Sequence, residues 1–407
     1  MISNSTVKNT LLFLVTLLIY SVNSYSFSKV ESEFPSSSST ILVGAENTAA
    51  YLSLLQNKKV GILTNQTGVV REALDVNVYI STVDFLLRKG VNLTKIYAPE
   101  HGFRGTADAG ELVKDGRDTQ TGLPILSLYG NSKKPSKEQL AGIDIMLFDL
   151  QDVGARFYTY ISSLHYVMEA CAEQNIPILV LDRPNPNISI VDGPILEMKN
   201  KSFVGMHPIP TLHGMTIGEY ALMINGEKWL NGGIQADLTV IPNLNYNRQM
   251  RYSLPVSPSP NLPNDQAINL YASLCFFEGT NVSSGRGTDL QFQIYGSPYL
   301  DQMPYHFTPQ PNVGSKDPMN KGKLCYGEDL SKELPVTRLE LKWLLKAYHQ
   351  TKNKDKFFTN FFLKLAGTDQ LKQQIIAGKT EDEIRQSWQN GLATFKTTRA
   401  PYLLYAN

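Results

Sequence analysis

The sequence has few cysteines and histidines and almost no net charge. Its 407 residues include three cysteines and six histidines, and the formal charge is +1. A nearly neutral chain has no strong overall field, which argues against a nucleic-acid-binding protein held by bulk electrostatics. Because three is an odd number, at least one thiol has no intrachain partner. A Cys275–Cys325 disulfide is compatible with an oxidising compartment, whereas Cys171 is expected to be buried in a helix.

Several motifs of well-known enzyme classes are also absent. The chain has no Walker A sequence, no G-x-G-x-x-G after a predicted strand, no H-E-x-x-H and no G-x-S-x-G. A dinucleotide or nucleoside-triphosphate role therefore has no support, and no cofactor and no metal are expected.

The N-terminus has the pattern of a secretory signal peptide. Lys8 precedes an apolar run over residues 11–20, and small residues follow near position 26. The run is short for a membrane span of about 20 residues, although an uncleaved anchor is the alternative. We predict a signal peptide over residues 1–26 and a serine-rich flexible linker over residues 27–40, with no integral membrane span after cleavage. The expected location is secreted or periplasmic.

Apolar runs alternate with helical patterns through the first half of the remaining chain. This alternation predicts an α/β fold with a Rossmann-like, mostly parallel sheet that has helices on both faces. The predicted strands are residues 59–65, 93–98, 124–129, 144–150, 177–182 and 238–241. The predicted helices are residues 76–89, 160–174 and 216–225, and Thr216 with Glu219 forms a capping box at the start of the last one.

The alternation ends after about residue 245, where prolines and then glycines accumulate. Residues 339–349 and 360–377 have helical patterns. We therefore predict a catalytic domain over residues 41–245 and a smaller C-terminal α+β domain over residues 246–407, with a ligand cleft between them.

Polar residues follow four of the predicted strands. Parallel strands present their carboxyl ends at one edge of a sheet, where ligands bind. The residues expected at this edge are Asn65, Glu100, His101, Asp149, Asp152, Asp182 and Arg183.

Two polar segments are the densest. Residues 99–105 (PEHGFRG) present Glu100, His101 and Arg104 on glycine-containing turns, in a pattern suited to acid–base chemistry or to a structural salt bridge. Residues 149–160 (DLQDVGARFYTY) combine carboxylates with aromatic rings that suit a sugar face. Arg156 and Tyr158 belong to this second group, although an Asp152–Arg156 pair that only holds the loop is the alternative.

Two further segments are candidates for ligand contacts. His213 precedes a helix N-terminus, where anions are favoured, although a single histidine is more often structural. Residues 278–288 (EGTNVSSGRGT) form a polar loop with Glu278, Asn281 and Arg286. Arg286 lies between two glycines, so its guanidinium can approach a carboxylate or phosphate closely.

Seven segments in order resemble the NamZ family of exo-β-N-acetylmuramidases. They are PEHGFRG, TGLPILSLYG, DLQDVGARFYTY, LDRPNP, HGMTIGE, SPSPN and EGTNVSSGRGT, within residues 59–299. The resemblance implies a glycosidase that releases N-acetylmuramic acid from peptidoglycan fragments, with its site between a Rossmann-like domain and a smaller C-terminal domain. It also implies that the key acid is Glu100.

Glycoside cleavage usually needs a second carboxyl group, unless the 2-acetamido group of the substrate assists. Asp149, Asp152 and Glu278 are the candidates for this role, and Tyr158 or His101 are candidates to assist. The lactyl carboxylate of muramic acid needs a cation. Arg104, Arg156, Arg183 and Arg286 are available for it.

Two other functions fit the residues less well. One is a metal-dependent amide hydrolase of the cell wall, with ligands drawn from Glu100, His101, Asp149, His207 and His213, whose spacing matches no standard metal site. The other is a non-catalytic periplasmic sugar-binding protein, which has little need for so many carboxylates. The expected partners are peptidoglycan-derived oligosaccharides and muropeptides, and no nucleic acid.

Overall fold

A computed structural model describes residues 40–73, 78–103, 115–130, 132–300 and 303–406. The described residues from 41 onward form one compact unit. None of the helices within the described ranges is both long enough and apolar enough to cross a membrane.

The centre of the fold is a seven-stranded sheet in the order β5-β6-β4-β1-β7-β8-β9. The strands in the described ranges are β1 (Val60–Thr64), β2 (Val69–Arg71), β3 (Tyr79–Ser81), β4 (Leu93–Ala98), β5 (Gly116–Arg117), β6 (Pro124–Ser127), β7 (Ile145–Asp149), β8 (Ile178–Leu181), β9 (Leu238–Ile241), β10 (Ile294–Ser297), β11 (Tyr305–Phe307) and β12 (Cys325–Asp329).

Six strands of the central sheet are parallel, and only the short edge strand β5 runs antiparallel to its neighbour. Numbered along the chain, these six follow the order 3-2-1-4-5-6 of the doubly wound α/β fold. The order reverses between β1 and β7. The carboxyl ends of these strands therefore border the crevice in which such folds bind ligands.

Both faces of the sheet are covered, which explains the continuous apolar runs in the sequence. Side chains alternate between the two faces along each strand. Ile62, Leu147 and Leu179 pack into one hydrophobic cluster, whereas their strand neighbours Leu63 and Phe148 pack into the other. The predicted Rossmann-like sheet is confirmed.

Helices flank the sheet and form much of the C-terminal part. Those in the described ranges are α1 (Thr82–Arg88), α2 (Lys137–Leu140), α3 (Tyr160–Glu173), α4 (Ile217–Gly226), α5 (Asp265–Leu274), α6 (Lys342–Gln350), α7 (Phe361–Ala366), α8 (Asp369–Ile376) and α9 (Glu381–Arg399). The predicted capping box of α4 is present. The Thr216 hydroxyl accepts from the Glu219 backbone N–H, and the Glu219 carboxylate accepts from the Thr216 N–H.

The C-terminal part is smaller and contains a three-stranded antiparallel sheet in the order β10-β12-β11, together with helices α5 to α9. This arrangement confirms the α+β prediction. The exact boundary after residue 245 stays a prediction.

Some local predictions were wrong. The helix predicted over residues 76–89 begins only at Thr82, because Tyr79–Ser81 pair with β2 as an antiparallel strand. The helix predicted over residues 360–377 is two helices, since Gly367 adopts φ +74° and ends α7. The cysteine prediction is confirmed, since Cys171 is buried in α3; Cys275 and Cys325, for which a disulfide was only an option, are buried and free.

Candidate active site

A cavity of about 280 Å³ lies beyond the carboxyl ends of β4, β6 and β7. Its walls come from both the sheet region and the C-terminal part. Its polar lining consists of Glu100, His101, Thr159, Ser259, Asn261, Glu278 and Arg286. Its apolar and aromatic lining consists of Tyr129, Phe157, Tyr158, Tyr160, Phe203, Val204, Tyr271, Phe292 and Phe361.

The turn after β4 places Glu100 in the cavity wall. The Gly102 N–H donates to the Pro99 carbonyl at 3.0 Å, which closes the turn. His101 and Gly102 both have positive φ, at +73° and +74°. A positive φ strongly disfavours β-branched residues, so valine, isoleucine or threonine at either position would strain this tight turn.

Two hydroxyl groups hold the Glu100 carboxyl. The Tyr129 hydroxyl donates to Oε1 at 2.8 Å, and the Thr159 hydroxyl donates to Oε2 at 2.6 Å. Tyr129 follows β6, and Thr159 precedes α3, which follows β7. Glu100 is 8% exposed. Loops after three parallel strands therefore fix one carboxyl group at the cavity surface.

A second carboxyl group comes from the C-terminal part. Arg286 Nη1 donates to Glu278 Oε1 at 3.0 Å, and both side chains are about one-quarter exposed. Arg286 lies between Gly285 and Gly287, whose φ values are +81° and +80°. A side chain at Gly287 would collide with Pro318, so this glycine lets the loop pack closely. The predicted glycine loop thus brings a carboxylate and a guanidinium to the cavity.

Aromatic rings form one wall of the cavity. The rings of Tyr158 and Tyr160 meet edge to face at 4.8 Å, and Tyr271 contacts Tyr158 at 5.9 Å. The Tyr158 hydroxyl donates to the Pro258 carbonyl at 2.7 Å. Burial raises the pKa of Tyr158 well above its ordinary value, so its hydroxyl remains protonated.

Asp149 and Arg183 lie apart from this lining, in a buried ion pair. Arg183 Nε donates to Asp149 Oδ1 at 2.6 Å, and Nη2 donates to Oδ2 at 2.9 Å. Nη2 also donates to the Val69 carbonyl at 2.9 Å. The bidentate pair therefore connects three elements, namely β7, β2 and the loop that follows β8. The geometry gives no support to the prediction that these two residues contact substrate.

Arg156 is also structural in its contacts. Its guanidinium is fully buried and donates to four carbonyl oxygens at 2.7–2.9 Å, those of Pro194, Ile209, Leu365 and Ala366. Burial lowers its pKa to about 9. No ion pair joins it to Asp152, so the alternative in which these two side chains pair to hold the loop is wrong, and Arg156 binds backbone carbonyls instead. Arg156 instead connects the sheet region to α7.

Asp182 lies deep in the fold as well. Its carboxyl accepts from the hydroxyls of Thr216 and Tyr405 and from the Gly218 backbone N–H. Burial raises its pKa to about 7, against the opposing effect of the Tyr405 and Gly218 hydrogen bonds. This network connects β8, the start of α4 and the C-terminal segment, which is a structural role.

The other predicted residues within the described ranges also lie outside the lining. Asn65 donates to the Tyr160 hydroxyl at 2.5 Å and so supports the aromatic wall. Asp152 accepts from the Gly154 N–H, and His213 Nε2 lies 3.7 Å from its carboxyl. Asn281 donates its backbone N–H to the Phe357 carbonyl. Arg104 lies outside the described residues.

Four polar contributors to the cavity were not predicted from the sequence. They are Tyr129, Thr159, Ser259 and Asn261, which all lie in segments that resemble the NamZ family. A polar residue placed just after an apolar strand was the available signal for Tyr129. Among the described residues, no group of three or more His, Cys, Asp or Glu side chains is arranged to hold a metal ion.

Family models account for nearly all of the folded chain. The N-terminal model of the exo-β-N-acetylmuramidase NamZ matches residues 60–266, and the C-terminal model matches residues 269–405. The chain belongs to the NamZ family. The peptidoglycan β-N-acetylmuramidase NamZ of Bacillus subtilis (strain 168) is 39% identical over 378 residues, which cover 87% of this chain and 89% of that protein.

Two crystal structures of DUF1343 family proteins from Bacteroides fragilis share the fold. One is 47% identical with a TM-score of 0.82 and covers 91% of this chain and 100% of its own. The other is 28% identical with a TM-score of 0.75 and covers 90% of this chain and 99% of its own. The NamZ architecture thus extends over both the sheet region and the C-terminal part.

Proposed function

We propose that this protein is an exo-acting glycosidase that releases N-acetylmuramic acid from the non-reducing ends of peptidoglycan fragments. Membership in the NamZ family gives the reaction class. The observation that carries the proposal for this chain is the placement of Glu100 in an aromatic-lined cavity, with two hydroxyl groups fixing its carboxyl.

Glu100 is the proton donor to the leaving oxygen. A general acid must be positioned within hydrogen-bond reach of the group that it protonates. The Tyr129 and Thr159 hydroxyls restrict rotation of the carboxyl, because each binds a different oxygen. A fixed carboxyl loses less entropy when the substrate reaches the transition state.

Glu278 is our candidate for the second group. Of the three carboxylates considered for this role, only Glu278 lines the cavity. Asp149 forms a buried ion pair with Arg183. Asp152 lies outside the cavity lining and accepts a hydrogen bond from the Gly154 backbone N–H. The 2-acetamido group of the substrate remains the alternative nucleophile, since some glycosidases use substrate assistance.

The size of the cavity favours cleavage at chain ends. A volume of about 280 Å³ is slightly below the usual range for ligand pockets, which starts near 300 Å³. An enclosed space of this size holds about one sugar unit, so the next sugar has to lie at the mouth, whereas an enzyme that cuts within a polymer needs room on both sides of the scissile bond.

Arg286 is our candidate for recognising the lactyl carboxylate. Arg156 and Arg183 are fully buried by other partners, whereas Arg286 lines the cavity. A guanidinium binds a carboxylate with two parallel hydrogen bonds, which a glucosaminide without the lactyl group does not form.

The N-terminal pattern supports action outside the cytoplasm, in the secreted or periplasmic space where peptidoglycan lies.

Product analysis tests the proposal. Peptidoglycan fragments with a muramic acid residue at the non-reducing end are incubated with the protein, and products are followed by mass spectrometry and proton NMR. We expect free N-acetylmuramic acid as the first product, and the initial anomeric signal reports retention or inversion. Release of internal fragments, or of N-acetylglucosamine from glucosamine-ended chains at equal rate, would contradict the proposal.

A further inference from the structure

Phe361 differs from the other aromatic residues of the cavity in its exposure. Its side chain is 41% exposed, whereas Phe157 and Phe292 are each 3% exposed and Tyr160 is 1% exposed. An exposed phenylalanine gains little from the hydrophobic effect in the unliganded protein. Its position marks the mouth of the cavity, while the buried rings mark the deeper part.

The backbone around Phe361 is rigidly held beside Glu278. Phe362 is fully buried and its ring packs on Phe358 at 4.6 Å. The Thr359 N–H donates to the Gly279 carbonyl at 2.9 Å. A Cβ at Gly279 would lie only 2.4 Å from the Phe362 Cα, so glycine is needed for this close approach. The start of α7 is therefore fixed against the segment that carries Glu278.

Phe203 supplies a second ring, on the Glu100 side of the cavity. It is half-buried, and its ring lies 6.0 Å from that of Tyr129, which binds Glu100. Tyr166 stacks on Phe203 with an interplanar angle of 18°, and Lys133 Nζ lies 4.9 Å from the ring centre. These contacts hold the ring in one orientation.

We propose that Phe361 and Phe203 form the binding subsite for the leaving-group sugar, the pyranose on the reducing side of the scissile bond. This inference rests on the proposed function, and it places the muramic acid ring in the deeper part of the cavity, next to Glu100. The next sugar then lies at the mouth, where the apolar C–H faces of a pyranose pack on aromatic rings. Phe361 is a specificity-determining residue that favours a sugar as the leaving group.

Two substrates test this subsite, one with a sugar ring as the leaving group and one without. One is the β-linked N-acetylmuramic acid–N-acetylglucosamine disaccharide, and the other is N-acetylmuramyl β-fluoride, which has no leaving-group ring. An aromatic contact contributes enough for Phe361→Ala to lower kcat/KM on the disaccharide by about two- to tenfold. We expect the value on the fluoride to be unchanged, and Phe361→Tyr to restore the disaccharide value.

The matched control is Ile376→Ala, which truncates another exposed hydrophobic residue outside the cavity lining. It should leave both substrates unaffected. An equal loss on both substrates in Phe361→Ala, or no loss on either, would overturn the subsite. A wild-type protein that released no muramic acid from either substrate would instead overturn the proposed function, and the subsite with it.

Discussion

Acidic side chains follow β4 and β7 at the same edge of the sheet, yet their surroundings differ. Glu100, after β4, lies at the cavity surface with two hydroxyl donors. Asp149, at the end of β7, is completely buried and bound by both arms of the Arg183 guanidinium. A carboxyl at a cavity surface is available for chemistry, whereas one that neutralises a buried cation stabilises the fold. Substitution of each residue can therefore separate the catalytic role of Glu100 from the structural role of Asp149.

The largest expected effect is on catalysis at Glu100. Glu100→Gln keeps the shape of the side chain but removes the proton, so kcat on a chromogenic N-acetylmuramide should fall by about 10²–10⁴-fold. The melting temperature should stay close to that of the wild type, since Thr159 and Tyr129 remain able to bond the amide. Near-normal turnover of the purified variant would show that Glu100 is not the acid.

The second effect is on stability at Asp149. Asp149→Ala leaves the Arg183 charge buried without its partner, which should cost about 3–5 kcal/mol of the free energy of unfolding. Urea unfolding followed by fluorescence measures this loss. The control is Asp289→Ala, because Asp289 is exposed and its removal should change stability by no more than about 0.5 kcal/mol. A stable Asp149→Ala protein with impaired turnover would place Asp149 in the catalytic machinery instead.

The sequence predicted the sheet better than it predicted the site. The runs that became β1, β7 and β8 are apolar throughout because both faces of the sheet are covered, so their pattern was unambiguous. Residues 79–81 were assigned to a helix, because an antiparallel pairing with Val69–Arg71 depends on a partner that local periodicity does not reveal.

The arginines show why site residues were harder to predict. Arg156 and Arg286 both lie in polar, glycine-containing segments, and both were expected to bind substrate. Arg156 is surrounded by four carbonyl oxygens, two of them from residues 365–366, more than 200 positions away. Such long-range partners decide whether a cation is structural. Phe361 was missed for the same reason, since its place at the cavity depends on the close packing of its neighbour Phe362 against Gly279.

The third effect concerns recognition by Arg286. Charged hydrogen bonds contribute about 1.5–3 kcal/mol, so Arg286→Leu should reduce the preference for muramides over glucosaminides by about ten- to a hundredfold. The ratio of the two kcat/KM values is the readout, because the loss of the Glu278 partner affects both substrates alike. Arg88→Leu, on the exposed surface, is the control. An unchanged ratio would assign the lactyl contact to another group.

The last effect is the pH dependence of stability, which arises at a buried histidine pair outside the cavity lining. His165 and His207 form a buried pair in which His207 Nε2 lies 2.9 Å from His165 Nδ1, and the Tyr220 hydroxyl lies 2.8 Å from His207 Nδ1. Burial lowers the pKa of His165 from 6.5 to about 4, with nearby Lys201 and Lys134 acting in the same direction and Glu169 opposing them.

Because the folded pKa of His165 lies below the unfolded value, the unfolded chain binds the proton first as the pH falls. The associated stability is complete above about pH 6.5 and is lost between there and about pH 4, at up to about 1.4 kcal/mol per pH unit for each histidine. His165→Asn should reduce this slope in urea unfolding at several pH values, whereas His306→Asn at an exposed site should not. An identical slope in His165→Asn would mean that the acid sensitivity of the fold arises from other groups.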